Sequence, residues 1–505
     1  MPSVIQWNDH GKQTTLDAEV IVVGTGAGGA ACAAELAEGG ARVVLIEEGS
    51  LIRTEDFLPH PSAMMKRTYR EMASTVIMGP PHIAYAEGRC VGGSTTINGG
   101  MSFRTPEHIL DQWAKEYQLP TLSPDQMAPW FARVERRTGV SLQLPETIGE
   151  DSRLMRAGAN AMGYRWTPNT RSQIACVGTN NCGFGCPTGA KQSTLVSYVP
   201  RALQAGATLI TDCRVKDILT QGTKVCGVRG AVIDPRTRRP SGEVTVRAER
   251  VVLACGAVHT PLLLLRNRIA NASREVGKNF LCHPNAKVTG LFPHEVQGWK
   301  GVSQGQQVRH FQEDGIVIAE NFVPPGLLAV ASPSVGDRTF EAMKRYNQTV
   351  TAACLLEDTV TGRVRRGPWG SPWIRYRFSQ QDTERAVRGV SYLARMLFAA
   401  GASEVHVPFP MLPALRSEAD ITAFENSSFR PRDLELFTVH LMGTAAMGRL
   451  ASKSVVDEWG HSHDVDGLYI ADASVFPSAI GVNPQVTIMA LASRTAHHIL
   501  EEIHG

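Results

Sequence analysis

VIVVGTGAGGAACAAELAEGGARVVLIEEG, residues 20–49, decides the fold of this 505-residue chain. Four apolar residues run into a glycine turn, Gly24-Thr25-Gly26-Ala27-Gly28-Gly29. The pattern predicts a strand, the turn, a helix over 27–38 and a second strand over 42–46 that closes on Glu47. Gly24 permits the tight turn, Gly26 lets the backbone approach a pyrophosphate, and Gly29 lets helix and strand pack closely. The helix start offers free N–H groups and a partial positive charge to phosphates. Glu47, about 20 residues on, is placed to accept hydrogen bonds from a ribose diol. A bare GxGxxG can be an ordinary packing turn, but set in this whole unit it points to a bound dinucleotide.

Outward from that unit, the length suggests two or three domains with large cores. Hydrophobic content of 43% and charged content of 20% describe a soluble globular protein. A net charge of +3 is too small to argue for nucleic acid or an anionic membrane surface. Residues 1–16 are polar and lack a signal-peptide core, and no run of about 18 apolar residues exists to span a membrane. A cytoplasmic location is the expectation. Of ten cysteines, three cluster as Cys176-x5-Cys182-x3-Cys186. A structural loop with packed thiols or one local disulfide is expected, with a metal or iron–sulfur site and redox regulation as alternatives. Three thiolates lack an evident fourth ligand, and the spacing is not a usual metal pattern.

A second glycine-rich run, GRCVGGSTTINGG at 88–100, is expected to be neither helix nor strand interior. Two such runs so close together suggest one shared ligand. Strands are expected over 207–219 and 244–258, the latter ending in Cys255-Gly256-Ala257, as in a Rossmann sheet split by insertions. The stretches 324–333, 363–377 and a helix over 382–400 read as a separate cap. A short strand over 465–473 and an apolar helix over 486–502 then return to the nucleotide domain. The leucines at 262–265 read as buried core rather than a lipid site.

Four blocks together resemble the glucose–methanol–choline (GMC) family of flavin oxidoreductases across residues 18–499. They are the first glycine turn with Glu47, the 88–100 run, LACGAVHTPLLLL at 253–265, and the pair HLMGTAAMG (440–448) and VDGLYIADASVFPSAIGVNPQVTIMALA (465–492). The resemblance implies an α/β fold: a discontinuous Rossmann-type FAD-binding domain (1–104, 190–290, 431–505) with an inserted α+β substrate or cap domain (105–189, 291–430). It implies that Asn98, Gly93 and Ser94 lie against the isoalloxazine and phosphates. Asp472 would contact the ribityl or pyrophosphate region, Val215 would hold the adenine by its backbone, and Thr487 would lie near the flavin. Gly28, Arg89, Ala473 and Pro484 complete the expected cofactor-binding set. Members with flavin bonded to a histidine carry it where this chain has Ile97, so FAD is expected to be non-covalent. CGFGCPTGAKQST (182–194) resembles both the long-chain fatty alcohol oxidase branch and flavin oxidases of aminoglycoside hydroxymethyl groups.

Alcohol oxidation needs a base for the hydroxyl proton while hydride leaves the carbon, and histidine suits that task near neutrality. By the resemblance His440 is that base and Asn483 its partner, stabilising alkoxide character by donating a hydrogen bond. His283 reads as a domain-packing residue, and His461 and His463 as an exposed turn rather than a metal site. The expected activity is FAD-dependent oxidation of a primary alcohol to an aldehyde, with oxygen or another acceptor taking the electrons. Alternatives are a lyase acting on a cyanohydrin-like substrate, a secondary-alcohol or sugar dehydrogenase, a nicotinamide-dependent dehydrogenase, and a non-catalytic flavin scaffold. No charged clamp is legible in the cap. The apolar stretch 322–331 favours a bulky or hydrophobic alcohol.

Overall fold

Val20–Val23 is buried at all four positions, which is what a parallel strand covered on both faces requires. It sits inside a six-stranded sheet in the order Val4–Ile5, Thr208–Ile210, Val43–Ile46, Val20–Val23, Arg250–Leu253 and Leu468–Ile470. Every neighbouring pair in it is parallel. The computed structural model that shows this describes residues 3–9, 13–330, 336–410 and 412–505. Residues 331–333, at the end of two stretches expected in the cap, lie outside the described residues.

The first helix is Ala27–Glu38, matching its expected span. Glycine is enforced on either side of its start. A Cβ on Gly24 (φ +109°) would meet the Ala254 carbonyl oxygen at 2.3 Å, and one on Gly28 would meet that of Ala471 at 1.7 Å. The C-terminal helix, Gln485–His504, folds back as expected and packs on the first, Leu500 lying against Gly39. Buried Glu35 joins three helices by accepting hydrogen bonds from Arg133 and Arg137, with His497 at 3.4 Å. Burial pushes its carboxyl up, but His497 and the two guanidinium groups outweigh that and hold it at about 2.

A smaller sheet orders Cys213–Gln221, Lys224–Ile233, Pro240–Arg247 and Gln13–Asp17. The strand expected over 244–258 is thus two strands in two sheets, followed by a helix, Gly256–Asn267. The cap is built on a nine-stranded sheet, covered on its outer face by Gln380–Ala399. Ser379 and Asp382 form a capping box at the start of that helix.

Elements cross the expected domain boundaries in four places, one being Leu436–Thr438, which lies in the cap sheet although residues 431–505 were expected in the nucleotide domain. Thr75–Ile77 and Ile83–Tyr85 belong to the cap sheet, although residues 1–104 were expected in the nucleotide domain. So does Asn285–Leu291, most of it before the expected switch at 291. Conversely, Glu107–Lys115 and Pro124–Arg137 pack their buried faces (Trp113, Phe131, Val134) into the nucleotide-domain core. Apolar periodicity marks a helix face as buried but does not name the core it enters.

The run 88–100 also departs from expectation, because Gly93–Ile97 forms a short helix. Gly92 enters it at φ +90° and Gly93 at φ +50°, so the glycines turn the chain and the four residues after them complete one helical turn. Among the described residues no helix is long and apolar enough to cross a membrane.

Candidate active site

Both glycine runs open on one cavity of ≈1350 Å³ between the nucleotide domain and the cap. At its floor Gly26 starts the first helix, and a Cβ there would meet nothing within 4 Å. The space left above that helix start is therefore available to a phosphate. Gly93 approaches from the other side, its would-be Cβ 2.9 Å from the Gly26 Cα. The two runs touch, as a single shared ligand requires.

Two buried carboxylates face this groove. Glu47 accepts from the Thr25 N–H (3.0 Å) and hydroxyl (2.6 Å) on one oxygen and from the Gly49 N–H (2.9 Å) on the other. Asp472 accepts from the Gly256 N–H (2.9 Å), the Thr260 hydroxyl (2.5 Å) and the Ser474 N–H (2.8 Å). Burial raises both carboxyls. A carboxylate has about four acceptor sites, so each keeps one for a ligand hydroxyl. Beside them, Glu48 pairs with Arg70 and Arg214; burial opposes ionisation, but the two cations hold it at about 2. Val215 lines the same end on Cys213–Gln221, next to a register shift. A groove with an open helix N-terminus and two acids with spare acceptor sites fits the pyrophosphate and hydroxyls of a dinucleotide such as FAD.

At the other end stand His440 and Asn483. His440 follows the strand Leu436–Thr438, and Asn483 precedes the C-terminal helix. Their side chains meet at 3.1 Å, Asn483 Nδ2 to His440 Nε2. Burial alone lowers the His440 pKa to about 4, so its ring is neutral near pH 7. On its far side, His440 Nδ1 lies 3.4 Å from Nδ1 of His283, a fully buried ring also held neutral, first by burial and then by His440. His283 touches His440 but does not line the cavity; it is packed, as expected, behind the wall. Its backbone sits at φ +36°, unfavourable for a non-glycine residue. Asp358 secures it by accepting from the N–H groups of Cys282 (2.6 Å) and His283 (3.1 Å).

The Gly481 N–H donates to His283 Nε2 at 3.2 Å, which puts the His283 proton on Nδ1, toward His440 Nδ1, and leaves the His440 proton on Nε2. For His440 Nε2 to accept, from Asn483 or from a substrate hydroxyl, the His440 proton must move to Nδ1 and that of His283 to Nε2, against the Gly481 N–H. That tautomer leaves a backbone donor without its acceptor, a cost of about 1–3 kcal/mol.

Between the two ends, Asn98 donates to Gln485 (2.8 Å) and accepts from the Gly100 N–H (2.9 Å). Fully engaged Lys191 donates to the carbonyls of Thr96, Asn98 and Cys182 at 2.7–2.8 Å, and burial lowers its pKa to about 8. It ties the cysteine loop to the short helix. Cys176, Cys182 and Cys186 are all free thiols around a second, small cavity. Among the described residues no group of three or more His, Cys, Asp or Glu side chains is arranged to hold a metal ion.

Of the residues expected to bind cofactor, Gly24, Gly26, Gly28, Glu47, Gly93, Ser94, Asn98, Val215, Asp472, Ala473 and Pro484 line the cavity. Gly29, Arg89 and Thr487 stand behind that wall. Gly29 packs on the Gly24 carbonyl, the Arg89 N–H donates to Thr68, and the buried Thr487 hydroxyl pairs with Thr105 at 2.7 Å. Leu262 and Leu263, expected as core, are buried yet reach the cavity. Neither His461 nor His463 is exposed: both are half-buried, and His463 is bonded to Ser454 at 2.9 Å. Sequence reading gave no role to Thr25, Lys191 or Gln485 and did not foresee the contact of His283 with His440. Thr25, inside the first glycine turn of the unit that closes on Glu47, was the one with a visible signal.

Sequence comparison agrees with this architecture. Models of the GMC oxidoreductase N- and C-terminal regions match residues 18–285 and 358–492. An uncharacterized GMC-type oxidoreductase of Mycobacterium tuberculosis is 35% identical over 97% of this chain and 76% of its own length. Long-chain-alcohol oxidase FAO1 of Arabidopsis thaliana is 26% identical over 96% of this chain and 67% of its own. The crystal structure of a pyridoxine 4-oxidase from Mesorbium loti shares the fold, with a TM-score of 0.71 at 19% identity over 95% of this chain and 99% of that one. The chain belongs to the GMC oxidoreductase family and is an FAD-dependent oxidoreductase acting on CH–OH groups.

Proposed function

We propose that this protein oxidises a primary alcohol to the aldehyde, with His440 as the base and Asn483 as its hydrogen-bonding partner. One observation carries the proposal: a neutral imidazole and a carboxamide, 3.1 Å apart, stand together at the end of the cavity remote from the phosphate groove. FAD, when bound, supplies the hydride acceptor. The protein's own groups handle the proton. The substrate hydroxyl displaces the Asn483 N–H at His440 Nε2 and loses its proton there. The Asn483 amide then donates to the oxygen as negative charge grows on it. The tautomer needed leaves the Gly481 N–H without its acceptor and costs about 1–3 kcal/mol, to be set against the roughly 3–5 kcal/mol that a positioned base contributes.

FAD is held non-covalently in this proposal. Ile97, at the position where the resemblance expects a flavin-linking histidine, lines the cavity with a hydrocarbon side chain. Glu47, Asp472 and the first helix start would hold the nucleotide. Oxygen or another acceptor would reoxidise the flavin.

A kinetic isotope effect tests the proposal. Deuterium at the carbinol carbon of an accepted primary alcohol should slow flavin reduction several-fold, with aldehyde as the product. Aldehyde release with no flavin reduction would contradict it and point to the lyase chemistry of a cyanohydrin-like substrate.

A further inference from the structure

The cap sheet presents one face to the cavity, and register across its strands shows what that face carries. Phe437 pairs with Ala84 on one side and Asn285 on the other. Asn285 pairs with Leu355 and that with Val317. Two residues along, Lys287 pairs with Ala353 and that with Ala319. All of these line the cavity, together with Gln307 from the next strand. Residues between them, such as Ala286 and Val288, point into the cap core. The cavity roof is thus mainly apolar, with the Asn285 amide and the Lys287 ammonium on one central strand and the Gln307 amide towards its edge.

Among the described residues Lys287 has no ion-pair partner. Its contact is with the face of Phe437, Nζ lying 4.3 Å from the ring centroid. Acids on the cavity wall (Glu47, Glu48, Glu71, Glu87, Asp472) come from segments at or below residue 87 or from 472. Between 285 and 440 the described wall carries Lys287 and Arg366 and no Asp or Glu. Burying a cation without a counter-charge is costly, and a ligand that supplies the charge recovers the cost. An ammonium is a point charge, suited to one carboxylate rather than to the bidentate geometry an arginine would read.

We propose that Lys287 is a specificity-determining residue that binds a carboxylate on the substrate, so that the preferred substrate is an alcohol carrying an acidic group. This rests on the alcohol-oxidation proposal and narrows it. Polycationic aminoglycosides are disfavoured by like charge, and plain long-chain alcohols would leave the ammonium unpaired.

Two alcohol pairs test it on the FAD-loaded protein: 4-(hydroxymethyl)benzoate and 12-hydroxydodecanoate, each against its methyl ester. Binding is read by calorimetry and reduction by anaerobic flavin absorbance. In at least one pair the carboxylate should bind about tenfold or more tighter than the ester, as a charge-assisted contact implies. Lys287→Met should bring the two within about threefold, and Lys287→Arg should restore part of the preference. Esters that bind and are oxidised as well as the acids would overturn this inference and leave alcohol oxidation standing. A preference unchanged in Lys287→Met, or no carboxylate binding in either pair, would also overturn it. Carboxylate binding that depends on Lys287, without any flavin reduction, would support the anion subsite and count against alcohol oxidation.

Discussion

Flavin reduction by substrate should stay on its plateau far into the acid range, because the base is buried. His440 is 8% exposed, and loss of hydration alone brings its pKa from 6.5 to about 4. At pH 5.5 an ordinary histidine would be only about 10% neutral, whereas a group of pKa about 4 would be about 97% neutral. The two cases therefore differ about tenfold in competent base at that pH. The assay is anaerobic stopped-flow reduction at low substrate, whose pH dependence reports groups of the free enzyme. A half-loss of rate near pH 6.5 would refute the assignment of a desolvated His440 as base. The same shift has a stability consequence. The folded state resists a proton that the unfolded state accepts, so stability rises with pH between about 4 and 6.5. The His440 contribution is present above that window and is lost, by about 3 kcal/mol, as pH falls through it.

Replacing His440 with Ala should leave the flavin bound, since no cofactor-groove contact depends on the ring, and should lower the reduction rate about 10²- to 10⁴-fold; a change under tenfold would remove it from the role. Gly26→Ala and Gly28→Ala separate cofactor binding from folding. The first should give folded protein with little yellow colour, and the second should express poorly, because its Cβ would lie 1.7 Å from a carbonyl oxygen; circular dichroism and flavin absorbance check both. Glu35→Ala should lower unfolding stability by about 3 kcal/mol in a denaturant titration, the low end for a broken buried pair because Arg133 and His497 can reach solvent. Its flavin spectrum should not change.

The nucleotide domain was legible because its signals are local. Strand, turn, helix and acid follow one another within residues 20–49, and the Ala27–Glu38 helix falls on its expected span. His440 and Asn483, 43 residues apart, were reached through motif resemblance, and their side chains do meet. Contacts between distant segments were not legible. His283 and His440 are 157 residues apart, and only the fold brings their rings together. Lys287 carried no signal either, since an alternating strand hides which face is core and which is cavity until the register of its neighbours is known. The same ignorance moved the domain boundaries, where helices over 107–137 read as cap turned out to pack on the nucleotide core.

The central claim is that this protein removes a hydride from a primary alcohol while His440 holds the hydroxyl proton. The most direct measurement is anaerobic titration of the purified yellow protein with a panel of primary alcohols, followed at the flavin absorbance maximum. Bleaching by at least one alcohol, with one aldehyde formed per flavin reduced, is the predicted result. A flavin that stays oxidised with every alcohol in the panel, or that bleaches equally well in His440→Ala, would contradict it.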